Sequence, residues 1–576
     1  MIITLSFFAT VINLILFLIV LGLVICIHEL GHLYFAKKAG ILCHEFSFGM
    51  GPKLWSKKKG ETTYSIRAIP FGGFVSMSGE ELEEEIVKIG NRVRLELDEE
   101  NRVTKIVLNE DNPKYSDLVA ITVDTMDLKN DGRLYLNEYE VNRDAFYIFD
   151  NKEMQIAPDD RRFSSKTIGQ RFLTAFGGPL MNFVLAIIVY LIIAFAIGVP
   201  NYASTVIGEV SPGAPAYEVL EAGDRIISIN GVEVTSWSGE TNSISSELAK
   251  TYDGYVIVVE RDGQTLTLET IYPLLVFYGL GFSADSASES LIIRTPLYLK
   301  SEMLPGDEIL EFNGQLMSSW EDVIAFQLAN LEGSSSRDDL YQIKVYRQTI
   351  SDYNGIIAKV TNQDGKYVIE IIAEGEEQRV VYTIGGTEEI VVSVGAQITK
   401  GQALGSGGEY VFEYVVYGEE VLKAMNTTAF STRIGIGGTT KFSFFGSITN
   451  SFVLFWGAAT SIFGTLGLLF TSNLVGISDL SGFVGIFSMT SQAASQGLIA
   501  LLSFIGLLSV NLGILNLLPI PALDGGRIVF LGYEVVFKKK PNQKLENWLH
   551  TIVFFLLIAL MLYVTYNDIL RLIGLG

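Results

Sequence analysis

The sequence predicts a multi-pass α-helical membrane protein of about four transmembrane helices, joined by β-rich aqueous segments. Three observations carry this prediction. Four stretches are apolar enough to cross a bilayer: about Phe7 to Ala36, Leu173 to Gly198, Leu498 to Leu518 and Trp548 to Tyr566. Hydrophobic residues make up 49% of the chain and mean hydropathy is +0.34, high for a chain with 64 Asp+Glu and 42 Lys+Arg. The charges are segregated, with none from Leu5 to Ile27. The 576 residues allow several domains, and the net charge of -22 argues against nucleic acid as a partner.

The first span, assigned to residues 1–37, holds the most informative motif. His28-Glu29-Leu30-Gly31-His32 lies inside it, where ionisable groups cost heavily and mark function. On a helix the two imidazoles sit at i and i+4, on one face, spaced to chelate one Zn²⁺. Glu29 points toward the same site and is placed to act as general base on water. The chain has only four His (28, 32, 44 and 550), so two at this spacing around a Glu are hard to assign to chance. This implies a zinc hydrolase with its active site in the bilayer and one Zn²⁺ per chain. Cys26 and Cys43 give no disulfide framework and read as inert thiols.

Residues 38–79 contain a hairpin. Trp55 to Lys59 and Tyr64 to Ile69 flank a turn at Gly60. Residues 80–170 open with the acidic run Glu80 to Glu85. Alternating runs follow, such as Thr104 to Leu108 and Leu118 to Val123, and predict a small β-rich domain. The second span occupies 171–200.

A repeat follows. Gly223-Asp224-Arg225-Ile226 leading to Asn230-Gly231 recurs as Gly306-Asp307-Glu308-Ile309 leading to Asn313-Gly314. In each copy Gly-Asp turns into an alternating strand, Asn-Gly turns out of it, and a Trp follows (Trp237, Trp320). The pattern resembles PDZ domains. Tyr278-Gly279-Leu280-Gly281-Phe282 is similar to their carboxylate-binding loop, whose successive backbone N–H groups can hold a chain terminus. Two PDZ-like domains are expected, at 203–273 and 276–400, the second with an insertion that includes Asn354 to Gly386.

Residues 408–497 are expected to form amphipathic or membrane-surface helices, including the Gly-rich stretch 452–470. The third span and the segment after it fill 498–526. A basic loop and the fourth span fill 527–576. Residues 37–171 hold 21 Lys and Arg, against 15 in the longer 199–497, and Lys538, Lys539, Lys540 and Lys544 lie between spans three and four. The positive-inside rule then places 38–170 and 538–547 in the cytoplasm. It places the N-terminus and the PDZ-like domains outside the cell membrane. No basic segment precedes the first span, and a cleaved signal peptide is not expected.

Catalytic zinc takes three protein ligands, and neither His44 nor His550 is well placed. Pro519 and Pro521 forbid regular helix after the third span, so the backbone there is expected to be extended, a docking edge for a peptide. Asp524, followed by Gly525 and Gly526, is the candidate third ligand; by itself it would read as a helix N-cap.

These motifs together resemble the site-2 protease family of intramembrane zinc metalloproteases, and within it the bacterial regulator-of-sigma-E type. The likeness rests on His28-Glu29-x-x-His32 and on Asn516-x-x-Pro519-x-Pro521-x-Leu523-Asp524-Gly525. Phe48-Gly49-x-Gly51-Pro52, Pro70 to Val75 and Gly177-Gly178-Pro179-Leu180-Met181-Asn182-Phe183 add to it. The resemblance implies His28, His32 and Asp524 as ligands and Glu29 as the catalyst. It implies that Asn182, Asn516, Pro519 and Pro521 shape the substrate cleft, and that the hairpin is membrane-associated. It also implies a role in regulated intramembrane proteolysis. The enzyme would cut single-span substrates, anti-sigma factors or remnant signal peptides, after an upstream site-1-type protease has shortened them. The PDZ-like pair would act as a filter. Two rivals are a non-proteolytic PDZ membrane scaffold with a vestigial metal site, and an ion path built on His and Asp. Intact Glu29 speaks against the first, and the lack of any other buried ionisable cluster against the second.

Overall fold

The computed structural model describes the chain except for Met1 and residues 81–85, 109–112, 131, 150–151, 289, 298–301, 332–339, 364–365, 375–378, 386, 416–421, 423–429, 472–479 and 573–576. Most of the acidic run and the end of the expected insertion at Gly386 lie outside the described residues. There are two compact units. One is Met1–Ala196 with Ser447–Ala459 and Ser478–Gly576; the other is Ile197–Gly446 with Thr460–Ile477.

Among the described residues, four helices are long and apolar enough to cross a membrane: Thr10–Lys38, Ile168–Ile197, Leu498–Asn516 and Lys544–Leu570. The first has a buried stripe at helical spacing, Val20, Val24, His28 and His32, while Ile12, Ile15, Ile19 and Leu23 point outward. Its C-terminus carries Lys37 and Lys38, which complement the helix dipole, and Gly40 (φ +70°) turns the chain out of it. The second helix crosses the first where glycines let the backbones touch: a Cβ on Gly31 would lie 2.1 Å from the carbonyl oxygen of Gly177.

The hairpin strands Cys43–Lys59 and Thr62–Met77 bend back on themselves into a small curved sheet. Phe48 lies beside both Ile66 and Gly73, and Ile66 lies beside Trp55. The strand that carries Gly73 runs along the first helix, where its glycine meets Ile25 and Glu29. A separate mixed sheet follows. Its strands lie in the order Val119–Thr122, Arg92–Leu97, Val103–Val107, Tyr139–Phe149, Leu134–Leu136, Met126–Asp127, with Lys152–Gln155 also on Tyr139–Phe149. Val93, Leu95, Ile106 and Leu136 fill its core. Backbone bonds from Leu42 to Arg161 and from Phe163 to Ser78, 2.9 and 2.8 Å, tie it to the base of the hairpin.

The second unit contains two modules built on the repeat, and it explains the repeat physically. Asp224 receives Arg261 through Nε and Nη2, both at 2.7 Å, and caps the backbone N–H of Glu221. Asp307 does the same with Arg347 and Leu304. Asn230 and Asn313 take left-handed φ of 49° and 50°, as a tight turn requires. Residues 408–497 are not helical throughout as expected, since Gly408–Val415, Phe430–Arg433, Ile436–Gly438 and Thr440–Lys441 are strands that pair within this unit. Two module boundaries also differ from expectation. The second module does not end at 400: strand Leu340–Arg347 pairs along its length with Gly408–Val415. Between them Gly355–Gln363, Lys366–Ala373 and Val380–Ile384 form an inserted sheet with its own core. The first module does not end at 273 either. Ile207–Val210 pairs with Ile436–Gly438, and Ile434 joins the core of Ile226, Ile229 and Tyr255. The second module is therefore nested inside the first. The helix that covers the Gly-rich stretch 452–470 is longer than that stretch, running Phe444–Thr471.

Candidate metal centre

Three ligand-type atoms converge from two elements, both histidines from the first helix and Asp524 from the helix after the third span. His28 Nε2 and His32 Nε2 are 3.2 Å apart. Asp524 Oδ2 lies 3.2 Å from the first and 3.4 Å from the second. A tetrahedral ion with bonds of about 2.0–2.1 Å has ligand atoms about 3.3 Å apart. The near-equilateral triangle thus fits zinc in size, and two imidazoles with one carboxylate fit it in chemistry. Among the described residues this is the one His/Cys/Asp/Glu group that could hold a metal.

Each of the three side chains has a support. His32 Nδ1–H donates to the Thr174 carbonyl at 2.8 Å, which leaves Nε2 free to face the centre. Pro179 removes the rung between residues 175 and 179 of that helix, next to the carbonyl that His32 uses. Asn182 meets Nδ1 of His28 at 3.3 Å. It is fully buried behind the imidazole and is absent from the cavity wall, so it touches a candidate ligand where the sequence suggests a place in the cleft. Asp524 opens the helix Asp524–Phe537. Gly525 and Gly526 let that helix sit on the preceding loop, since a Cβ on either would meet Leu518 or Ile520 carbonyl oxygen within 2.5 Å.

The loop from Leu517 to Leu523 is not the extended edge the prolines suggest. It coils through turns, Ile520 N–H to Leu518 O at 2.7 Å and Leu523 N–H to Ile520 O at 3.1 Å. A single proline blocks helix, but it is equally compatible with turns. Ala522 takes a left-handed φ of 83°, and its N–H donates to His550 Nδ1 at 2.9 Å. His550 thus braces the residue two before Asp524. Nothing in the sequence pointed to it.

The three atoms line a cavity of about 810 Å³ with Glu29 beside them. Asn516 lines it; Pro519 and Pro521 do not. One wall is the hairpin strand, through Gly72, Gly73, Phe74 and Val75. Other polar groups line it as well, among them His44, Glu80 and Arg527. His44 bonds Ser78 Oγ at 2.6 Å, and Glu80 pairs with Arg527, one turn beyond Asp524. Met154 of the mixed sheet also reaches the cavity. Cys43, close by, is closed to chemistry: burial pushes its thiol up to about 12.

The model of peptidase family M50 matches residues 16–560. The chain is 31% identical over 565 residues to the zinc metalloprotease RasP of Bacillus licheniformis, covering 96% of this chain and 98% of that one. It is 31% identical over 562 residues to RasP of Geobacillus kaustophilus, 96% of each chain. With RasP of Shouchella clausii it shares 30% over 569 residues, 96% and 98% of the two.

Proposed function

Because the chain belongs to peptidase family M50, the site-2 protease family, and is a zinc metalloprotease of the membrane, we propose that it cuts single-span proteins within their transmembrane segments. Anti-sigma factors and remnant signal peptides are the substrate classes, cut after an upstream protease has removed their outer part. The observation that carries this reading is the triangle of His28, His32 and Asp524 beside Glu29, set where the first helix is long and apolar enough to span a bilayer.

In this reading His28, His32 and Asp524 hold the zinc, which supplies Lewis acidity toward water and the scissile carbonyl. Glu29 takes the proton from the attacking water and returns it to the leaving amine. The strand at Gly72 to Val75 gives the substrate an edge to pair with, so the peptide is unwound and its amides face the site. Glycines at 72 and 73 keep that edge clear of side chains. Asn516 lines the cleft; Pro519 and Pro521 act at one remove by shaping the loop that carries Asp524.

We assign the two modules as PDZ-like and extracytoplasmic, with residues 38–170 and 538–547 cytoplasmic. The second module favours filtering over capture. Its carboxylate-type loop is already satisfied: Leu280 N–H donates to Gln327 Oε1 at 3.3 Å and Gly281 N–H to the Phe277 carbonyl at 2.6 Å. The strand Phe282–Asp285 is paired on both sides, with Leu274–Phe277 and Ile293–Pro296. The Leu280 and Gly281 N–H groups and both edges of that strand are thus already engaged.

The test is co-reconstitution with a tagged single-span substrate. Wild type should release a product whose new terminus maps inside the transmembrane segment, and Glu29→Gln should release none. Equal cleavage by both, or a cut confined to the aqueous part, would overturn the reading.

A further inference from the structure

One face of the hairpin sheet is graded from apolar to basic along the first helix. Trp55, Ile66 and Phe48 are neighbours across three strands, and Lys57, Tyr64 and Phe46 form the next tier. Side chains two apart on a strand share a face, so Lys59 extends this face by a third step. The face and Cys26 of the first helix enclose a groove of about 630 Å³. Its direction is fixed at both ends. Phe48 packs where a Cβ on Gly22 would touch its ring, and Lys37 Nζ sits 5.8 Å from the centre of the Tyr64 ring. From Gly22 to Lys37 the helix rises about 22 Å. That is about one leaflet from the acyl region to the headgroups. The apolar tier therefore lies beside the middle of the span, and Lys57, Lys59 and Lys37 gather where the span ends. Lys58 points the other way, over the Phe146 ring at 4.5 Å, and Lys53 is engaged by Glu45 at 3.0 Å.

We propose that this groove binds one anionic phospholipid, with an acyl chain against Phe48, Trp55 and Ile66 and the phosphate on Lys57 and Lys59. The bound lipid would fix the hairpin against the first helix, and with it the cleft strand of the same sheet. The case for a lipid is the gradient itself. A peptide segment has no need for an apolar slot that runs with the span and ends in lysines, whereas a lipid has that polarity along its length. Tyr64, in the tier next to the lysines, supplies an amphipathic ring of the kind usual at the membrane interface.

Native mass spectrometry of the full-length protein in detergent tests this, with dioleoylphosphatidylglycerol and dioleoylphosphatidylcholine as probes. Wild type should retain one phosphatidylglycerol in preference to phosphatidylcholine. The double variant Lys57→Gln with Lys59→Gln should hold phosphatidylglycerol about thirtyfold less well, while Lys57→Arg with Lys59→Arg keeps it. Trp55→Ala should weaken both lipids alike. Soluble glycerol phosphate should not compete, because it lacks the acyl chain. Equal retention of the two lipids by wild type overturns the proposal without any variant. So does unchanged retention in a folded double-Gln variant, or full competition by glycerol phosphate.

Discussion

The Asn182 side-chain amide meets Nδ1 of His28 at 3.3 Å, while Nε2 across the same ring faces His32 and Asp524. His28 offers Nε2 to the centre, so its Nδ1 carries the proton and needs an acceptor. The amide oxygen of Asn182 supplies one when the amide turns over, which also gives that otherwise unpartnered buried oxygen a bond. Asn182 is then a positioning residue for a ligand. Asn182→Ala should lower zinc affinity by about 10–100-fold, read by competition with a chromophoric chelator. Asn182→Asp should restore most of it. Undiminished zinc affinity with a fall in kcat alone would return Asn182 to the substrate side.

Glycine at 178 is a second support for the centre. A Cβ there would lie 2.3 Å from His32 Nε2 and 2.8 Å from His28 Nε2. Gly178→Ala should expel zinc and activity while the protein still assembles in the membrane. Gly457→Ala makes the contrasting case, because nothing lies within 4 Å of its added carbon. It should keep full zinc content and gain up to about 1 kcal/mol from helix propensity. Metal analysis of the two purified variants decides the matter; similar zinc in both would sink the argument.

How much of this could be read in the chain follows from where the chemistry is rare. His28, Glu29 and His32 stand out because polar groups in an apolar span have no bland explanation. Asp524 needed the motif around it, since Asp before Gly-Gly also reads as a cap. Asn182 and Gly178 lie in a motif whose pattern marks it but does not say which face meets the histidines. His550 was illegible, because its work depends on a left-handed Ala522 that no pattern announces. The nested modules were hidden for a topological reason. The Asp224 and Asp307 repeats declare two similar units, yet Ile436–Gly438, which completes the first, is a three-residue strand beyond the whole of the second.

The helix that begins with Asp524 is held at its far end by Arg171 and Glu534, paired at 2.8 Å with side chains only 9% and 13% exposed. At its near end it is held by Arg527 and Glu80. Removing one partner of a buried pair leaves the other charge uncompensated, at a cost of about 3–5 kcal/mol. Glu534→Leu alone should therefore lower the melting temperature markedly in detergent. Adding Arg171→Met should recover part of the loss, because two apolar groups leave no charge stranded. A double variant as unstable as the sum of the singles would show that the pair is not the cause.

Acid should loosen the module built on Asp224 before neutral or alkaline pH does. Asp224 is almost fully buried, and although burial opposes its charge, the Arg261 fork and the Glu221 N–H hold its carboxyl below the ordinary carboxylate range. A carboxyl with a depressed folded value favours folding at every pH above its unfolded value, about 3.9. That contribution fades as the pH falls through the lower folded value. Calorimetry of the full chain at pH 7, 4 and 3 should show that module's transition falling chiefly over the last step. In Arg261→Leu the transition should already be lower at pH 7, since a buried carboxylate has lost its partner and Glu221 its second contact at 2.7 Å. Its further decline in acid should be shallower, because protonating an unpaired buried carboxyl relieves a penalty in place of breaking a bond. Parallel acid profiles for wild type and variant would place the acid sensitivity elsewhere.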